Sequence, residues 1–316
     1  METPLIETVG LKKYFKTSRG ELHAVDDINL KITKGHTLGV VGESGCGKST
    51  LGRVILRLID ATAGQVLYNG EDILKYSSGE MNKMRQKMQI IFQDPYSSLN
   101  PRLTVSELIA EPIKVTRLLK SQAEINDRVF ELMETVGLAE RFVNTYPHEL
   151  DGGRRQRIGV ARALALNPAF VVCDEPVSAL DVSIQAQILN LMMDLQEQMG
   201  LTYMFITHDL SVVKHISNEI AVLYLGECVE LTDKQELFDN PLHPYTRALL
   251  EAIPVPNLSS RSKKRTIIQG EVTSPIDPKP GCRFASRCPY ATESCTGASI
   301  PLREVTPGHF VACCHV

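Results

Sequence analysis

Eight consecutive residues constrain this chain more than any others. Gly42-Glu-Ser-Gly-Cys-Gly47-Lys48-Ser49 fits the pattern G-x-x-x-x-G-K-[ST]. An apolar run at residues 38–41 precedes it, and the helix-forming stretch STLGRVILRLI follows it. Glycine lets such a loop curl and turn its N–H groups inward, toward an anion. Lys48 supplies a point charge for β- and γ-phosphates, and the Ser49 hydroxyl is a ligand of the Mg²⁺ type. A helix starting here sets its positive end against the phosphates. The expected phosphate-binding set is therefore Gly42, Ser44, Gly45, Cys46, Gly47, Lys48, Ser49 and Thr50. A strand–loop–helix unit of this kind demands a parallel α/β sheet around it.

The rest of the first 250 residues supplies one. Short apolar runs recur at residues 38–41, 89–92, 170–173, 203–206 and 220–225. Runs this short and this apolar predict strands buried on both faces. Ile188, Met192, Leu195 and Met199 recur at helical spacing and predict an amphipathic helix on the sheet. Residues 101–150 read as helix without strand, a helical insertion. Phe170-Val-Val-Cys-Asp174-Glu175 ends an apolar strand in two acids. Asp174 is then placed at the carboxyl edge of the sheet, near Mg²⁺, and Glu175 is set to orient or deprotonate a water. Two adjacent acids mean little alone; behind a phosphate loop they complete a hydrolytic site.

Composition excludes other classes. The chain has 316 residues, which suggests roughly two domains. With 34 Lys+Arg and 37 Asp+Glu its net charge is −3, unlike that of a general polyanion binder. Hydrophobic residues at 43% support a packed core. No apolar run reaches the ~18 residues of a membrane span, and the first residues do not form a secretory signal. A cytosolic chain is expected.

Between the two halves of the nucleotide site lies Tyr146-Pro-His-Glu-Leu150-Asp151-Gly152-Gly153-Arg154-Arg155-Gln156-Arg157. With the preceding motifs it resembles the ATP-binding subunits of ABC transporters, which carry L-S-G-G-Q at this place. The resemblance covers essentially the whole chain. It implies an α/β fold: a P-loop ABC ATPase core with an antiparallel β subdomain and a helical subdomain at about residues 96–160, plus a small Cys-rich C-terminal extension. The implied boundaries are 1–253 and 254–316. Tyr14 is similar to the aromatic that stacks on adenine, with Phe15 second. Gln93 is similar to the Q-loop glutamine that touches Mg²⁺. Glu175 resembles the catalytic glutamate, Asp181 in Ser178-Ala-Leu-Asp181 the D-loop aspartate, and His208 in Ile206-Thr-His-Asp the switch histidine. Asp151, Gly152 and Gly153 would contact a partner's ATP, because in this family two subunits sandwich two ATP molecules head to tail. The chain departs from the pattern with L-D-G-G-R. A carboxylate facing a γ-phosphate is repelled unless Arg154 offsets it or Asp151 turns away. An asymmetric sandwich with a different partner subunit is the expectation.

The segment Asn240-Pro-Leu-His-Pro-Tyr-Thr-Arg-Ala248, followed by Ala252-Ile-Pro254, resembles the extension of oligopeptide, dipeptide and nickel importer ATPases. Residues 154–157 and 174–181 look most like the F-type subunit of those systems. The resemblance implies a second, different ATPase subunit, two transmembrane permeases and an extracytoplasmic solute-binding protein. It implies docking at the cytoplasmic face of the membrane and no nucleic-acid partner; Tyr96 and Leu99 are the candidate contacts, with packing of the helical insertion as the alternative role for both. Nickel or another small solute is the alternative cargo. A non-transport ABC ATPase acting on nucleic acid or ribosomes is the more distant alternative.

Residues 254–281 hold Pro254, Pro256, Pro275, Pro278, Pro280 and a basic run at 261–265, and read as a linker. Beyond it, Cys282, Cys288, Cys295 and Cys313 form C-x₅-C-x₆-C-x₁₇-C, with Cys314 the alternative fourth member. Four thiolates on a short segment can hold Zn²⁺ or an iron–sulfur cluster, and the metal would supply folding energy. The spacing identifies neither. Resemblance favours a [4Fe-4S] cluster, with Zn²⁺ the alternative.

Overall fold

Each apolar run read from the sequence is a strand in the computed structural model, which describes residues 3–253, Gly270 and 273–316. The start of the expected linker, with Pro254, Pro256 and the basic run at 261–265, lies outside the described residues. The chain divides into two units.

The first unit contains Lys75–Ile206. Its strands Met88–Ile91, Phe170–Asp174 and Thr202–Ile206 run parallel, with Phe170–Asp174 in the middle. Every residue of the middle and last strands is buried. This explains why they read as unbroken apolar runs rather than alternating ones. The helix Val182–Met199 buries Ile188, Leu189, Met192 and Leu195. Met199, expected on that stripe, falls in the last turn and is partly exposed. Residues 101–150 hold helices and turns and no strand. Helices Val105–Thr116 and Gln122–Thr135 start at capping boxes, Thr104 with Glu107 and Ser121 with Glu124.

The second unit contains Pro4–Ile32, Thr37–Leu74 and Thr207–Val316. One sheet has the order Gly20–Thr33, Pro4–Thr17, Ala63–Tyr68, Glu71–Asp72. Ala63–Tyr68 is antiparallel to both its neighbours. This is the antiparallel subdomain. Separately, Thr37–Val41 pairs parallel with Glu219–Tyr224. That strand turns back into Glu227–Asp233, which in turn takes His309–Val311 and then Arg303–Thr306, all antiparallel. The last two strands come from the Cys-rich segment, which thereby extends the sheet that holds Thr37–Val41 and Glu219–Tyr224. A bridge between Leu22 and Ile276 adds a second seam. His23 N donates to Pro275 O at 3.0 Å, and Asp277 N donates to Glu21 O at 2.8 Å.

Candidate nucleotide site

In the second unit the strand Thr37–Val41 delivers the phosphate loop, and the helix Lys48–Ile55 leaves it. Gly47 caps that helix with φ of 102° and no side-chain cap. A Cβ there would lie 2.0 Å from Ala24 O, so only glycine fits both the backbone angle and the space. Lys48 is buried, and its Nζ donates to Gly42 O at 2.8 Å and Glu43 O at 2.9 Å. The ammonium is thereby held inside the curve of the loop. Cys46 is buried beside it, and burial pushes its thiol up against the pull of Lys48. His208 follows Thr207, whose N–H donates to Val40 O at 3.1 Å. The expected switch histidine is thus hung from the strand that opens the phosphate loop, and it is exposed.

Tyr14 stacks on His23 with ring centroids 3.8 Å apart and planes 16° from parallel. Its hydroxyl donates to Asp26 Oδ1, and His23 Nδ1 lies 2.8 Å from Asp26 Oδ2. Arg283 also contacts Asp26. Burial opposes ionisation of Asp26, but the hydrogen bonds from Tyr14 and His23 and the Arg283 guanidinium hold its carboxyl below the usual range. Tyr14 is pushed up, first by burial and then by Asp26. Phe15 has Lys13 Nζ 4.9 Å from its ring centroid instead. Sequence reasoning singled out Tyr14 but not its partners His23 and Asp26, which carry no motif.

In the first unit Asp174 is buried at the strand end, and Glu175 follows with φ of 48°. Glu175 N donates to Ile206 O at 2.9 Å. Gln93 Nε2 donates to Glu175 Oε2 at 3.0 Å, so two expected catalytic residues meet directly. Asp181 is exposed and precedes the helix Val182–Met199. The signature opens the helix Gly152–Leu164. Asp151 is its N-cap, accepting from Arg154 N at 2.8 Å, and its other oxygen pairs with the Arg154 guanidinium. Gly152 and Gly153 pack against the D-loop helix region: a Cβ on Gly153 would lie 2.7 Å from Ile184 Cγ2. Tyr96 is 64% exposed beneath the Arg155 guanidinium, whereas Leu99 is 2% exposed. Leu99 is therefore core, which meets the packing alternative and removes it from the docking pair.

All eight cysteines are free thiols. Cys282, Cys288, Cys295, Cys313, Cys314 and His315 line one pocket with Phe284 and His243. The tightest donor set within it is Cys295, Cys314 and His315, with ligand atoms within 4.8 Å of one another. This differs from the expected four, which took Cys313 and left out His315. Cys295 Sγ is 3.3 Å from Cys314 Sγ and 3.4 Å from His315 Nε2. Burial pushes Cys282 up to about 11, with the neighbouring thiols adding to it. Cys288 and Cys313 rise for the same reasons. Cys295 falls to about 7, because hydrogen bonds from Thr292 N–H, Cys314, the Thr292 hydroxyl and His315 outweigh burial.

The ABC transporter family matches residues 25–178. The C-terminal region of oligopeptide/dipeptide transporters matches residues 229–295. The oligopeptide transport ATP-binding protein AppF of Bacillus subtilis is 50% identical over 318 residues, covering 98% of this chain and 96% of that protein. The chain belongs to the ATP-binding subunits of ABC peptide importers. The oligopeptide transport ATP-binding protein OppF of the same organism is 51% identical over 314 residues, covering 99% of this chain and 97% of that protein. The solved ATP-binding cassette MJ0796, a dimer in a post-hydrolysis state with ADP and phosphate, superposes with a TM-score of 0.67 at 32% identity. It covers 72% of this chain and 98% of its own. The family is that of a transport-coupled ATPase. No helix among the described residues of this importer ATPase is long and apolar enough to cross a membrane. The C-terminal match takes in Arg283, Arg287 and the first three clustered cysteines.

Proposed function

We propose that this ATPase drives uptake of di- and oligopeptides, with Glu175 as the residue that activates the attacking water. The observation that carries the catalytic assignment is the Gln93–Glu175 hydrogen bond on a left-handed residue at a strand end. The amide of Gln93 fixes the carboxylate of Glu175, and the αL backbone turns that carboxylate away from the strand line. Lys48 and the N–H groups of residues 42–50 hold the phosphates, and Tyr14 supports the adenine. His208 meets the γ-phosphate. Ser49, Gln93 and Asp174 each offer a hard oxygen donor suited to Mg²⁺, which neutralises phosphate charge when bound. Asp181 and the signature residues Asp151, Gly152 and Gly153 face a partner's nucleotide in a head-to-tail sandwich. That partner is a second, different ATPase subunit. The pair docks at the cytoplasmic face of the membrane on two permeases, fed by an extracytoplasmic solute-binding protein. The support for this assembly is the identity to oligopeptide transport proteins over nearly the whole chain.

Glu175→Gln in the assembled transporter tests the assignment. Hydrolysis is expected to fall by about 10²–10⁴-fold, with ATP still bound and peptide uptake lost. Hydrolysis within a few-fold of the parent sinks it.

We also propose that the cysteine pocket holds a resident metal. Cys282, Cys288, Cys295 and Cys313 or Cys314, which line it, would supply the four thiolates that a [4Fe-4S] cluster takes. Several thiols crowded in one pocket resist ionising together, and a bound cation removes that resistance. Zinc is the second reading, favoured by the mixed sulfur and nitrogen set of Cys295, Cys314 and His315. Iron, zinc and acid-labile sulfide in anaerobically purified protein decide it. About four iron and four sulfide per chain are expected for the cluster. Zinc alone selects the second reading, and no metal removes both.

A further inference from the structure

The residues between Cys282 and Cys288 carry two arginines, and both reach the nucleotide-binding half of the second unit. Arg287 forms a fork with Glu43, the second residue of the phosphate loop: NH1 to Oε2 at 2.9 Å and NH2 to Oε1 at 3.2 Å. Its side chain is nearly buried, and the Glu43 contact raises its affinity for the proton despite that burial. Glu43 is held at two further atoms. Its N–H donates to Tyr245 Oη at 2.9 Å, and its carbonyl accepts from Lys48 Nζ at 2.9 Å. Arg287 therefore acts on Lys48 through one residue.

Arg283 holds the neighbouring wall. Its Nε pairs with Glu227 at 3.0 Å, and its other nitrogens donate to Leu225 O and Asp26. The turn it grips is tied to the phosphate loop, because Gly226 N donates to Cys46 O at 2.9 Å. The same turn is tied to Asp26, whose N–H donates to Gly226 O at 2.8 Å. Asp26 in turn takes the hydroxyl of Tyr14. Phe284, between the two arginines, is buried against Tyr224 and Tyr245, which fixes the segment in place.

We propose that Arg287 is a positioning residue for nucleotide binding, neutralising Glu43 and fixing the phosphate loop, with Arg283 bracing the adjoining turn. The physical need is plain. A carboxylate inside a loop built to bind a polyanion repels its ligand unless a cation cancels it. A bidentate guanidinium does so and also fixes direction, which an ammonium does not. The cysteine-bearing segment thereby becomes part of the nucleotide site, although it lies more than 240 residues away in sequence. This inference rests on the reading of residues 42–49 as the phosphate loop.

Nucleotide affinity of the full chain and the ATP KM of the assembled transporter test it. Arg287→Ala is expected to raise both the Kd for ATP and the KM by about tenfold or more, with kcat within about twofold. Adding Glu43→Gln to that variant is expected to recover most of the loss, because the uncompensated charge is then gone. A merely structural arginine would not be rescued this way. Arg287→Lys keeps the charge, and a partial effect is expected from it; it also serves if the alanine variant melts. Unchanged affinity in Arg287→Ala overturns the proposal, as does the absence of any recovery on adding Glu43→Gln. Lys48→Ala separates the two levels. If it still binds ATP like the parent, the phosphate-loop reading itself is wrong; if it loses ATP while Arg287→Ala does not, only the present proposal falls.

Discussion

Glu175 adopts a left-handed backbone that a non-glycine residue takes only when its surroundings hold it there. The bonds from its N–H to Ile206 O and from Gln93 to its carboxylate supply that hold. A second residue whose surroundings override its intrinsic preference is Glu227. Burial pushes its carboxyl up to about 7 against the attraction of Arg283, with Asp26 and Asp27 adding to the rise. Between about 4.5 and about 7 the folded chain keeps a proton there that the unfolded chain has released. The unfolded state then binds fewer protons, so this site makes stability fall as pH rises through that window. The thermal midpoint of the parent, measured relative to Glu227→Gln, is expected to drop across this range and level off above it. Parallel curves would show that Glu227 titrates normally. Lys48, Asp174, Glu175 and His208 stand out in the sequence as candidates because their residue types sit in short motifs. Asp26, Glu43, Arg283 and Arg287 do not, because each pair is joined by more than 240 residues of chain. Charge type alone does not announce a partner that far off.

Elements were legible where burial is uniform. The strands Thr37–Val41, Phe170–Asp174 and Thr202–Ile206 are buried at every residue, and their apolar runs marked them. Pro4–Thr17 and Gly20–Thr33 are half-exposed and mix polar with apolar residues, so only the family resemblance implied a sheet there. Arg303–Thr306 has no fully buried residue, and nothing in its sequence marks it as a strand. The signature helix shows how an element can absorb a changed residue. Asp is a good N-cap, and its charge suits the positive helix end. The Arg154 guanidinium neutralises it further, although this pair is too exposed to add much stability. Asp151→Ser keeps a capping oxygen but releases Arg154. In the assembled transporter this change is expected to tighten nucleotide binding at the partner's phosphate loop several-fold, by leaving a net positive charge at the signature. Unchanged affinity and hydrolysis at that site would remove the idea of an asymmetric sandwich.

At the largest scale, within the second unit, the C-terminal residues are locked to the ATPase core by a buried acid. Glu230, in the strand Glu227–Asp233, is fully buried and accepts from Leu242 N at 2.7 Å, His243 N at 3.0 Å and His309 Nε2 at 2.8 Å. His309 begins the strand His309–Val311, which pairs beside it through Glu230 and Val311. Family resemblance foretold a Cys-rich extension but not where it would be stitched, since a lone Glu and a lone His 79 residues apart form no motif. Removing one member of such a pair leaves a buried polar group short of a partner. His309→Ala is expected to cost about 1–3 kcal/mol, as for a buried group that loses a hydrogen-bond partner. Glu230→Gln with His309→Ala is expected to cost less than the sum of the two single changes, because both single changes weaken the same contact. Urea unfolding of the four proteins measures this coupling. If the costs simply add, Glu230 and His309 are independent, and strand pairing, the Phe284 cluster and the ion pairs of Arg283 and Arg287 hold the extension. If they couple, the same buried contact that closes the sheet also keeps the segment bearing Arg283 and Arg287 in register with the phosphate loop. Loss of His309 should then raise the ATP Kd in step with the loss of stability.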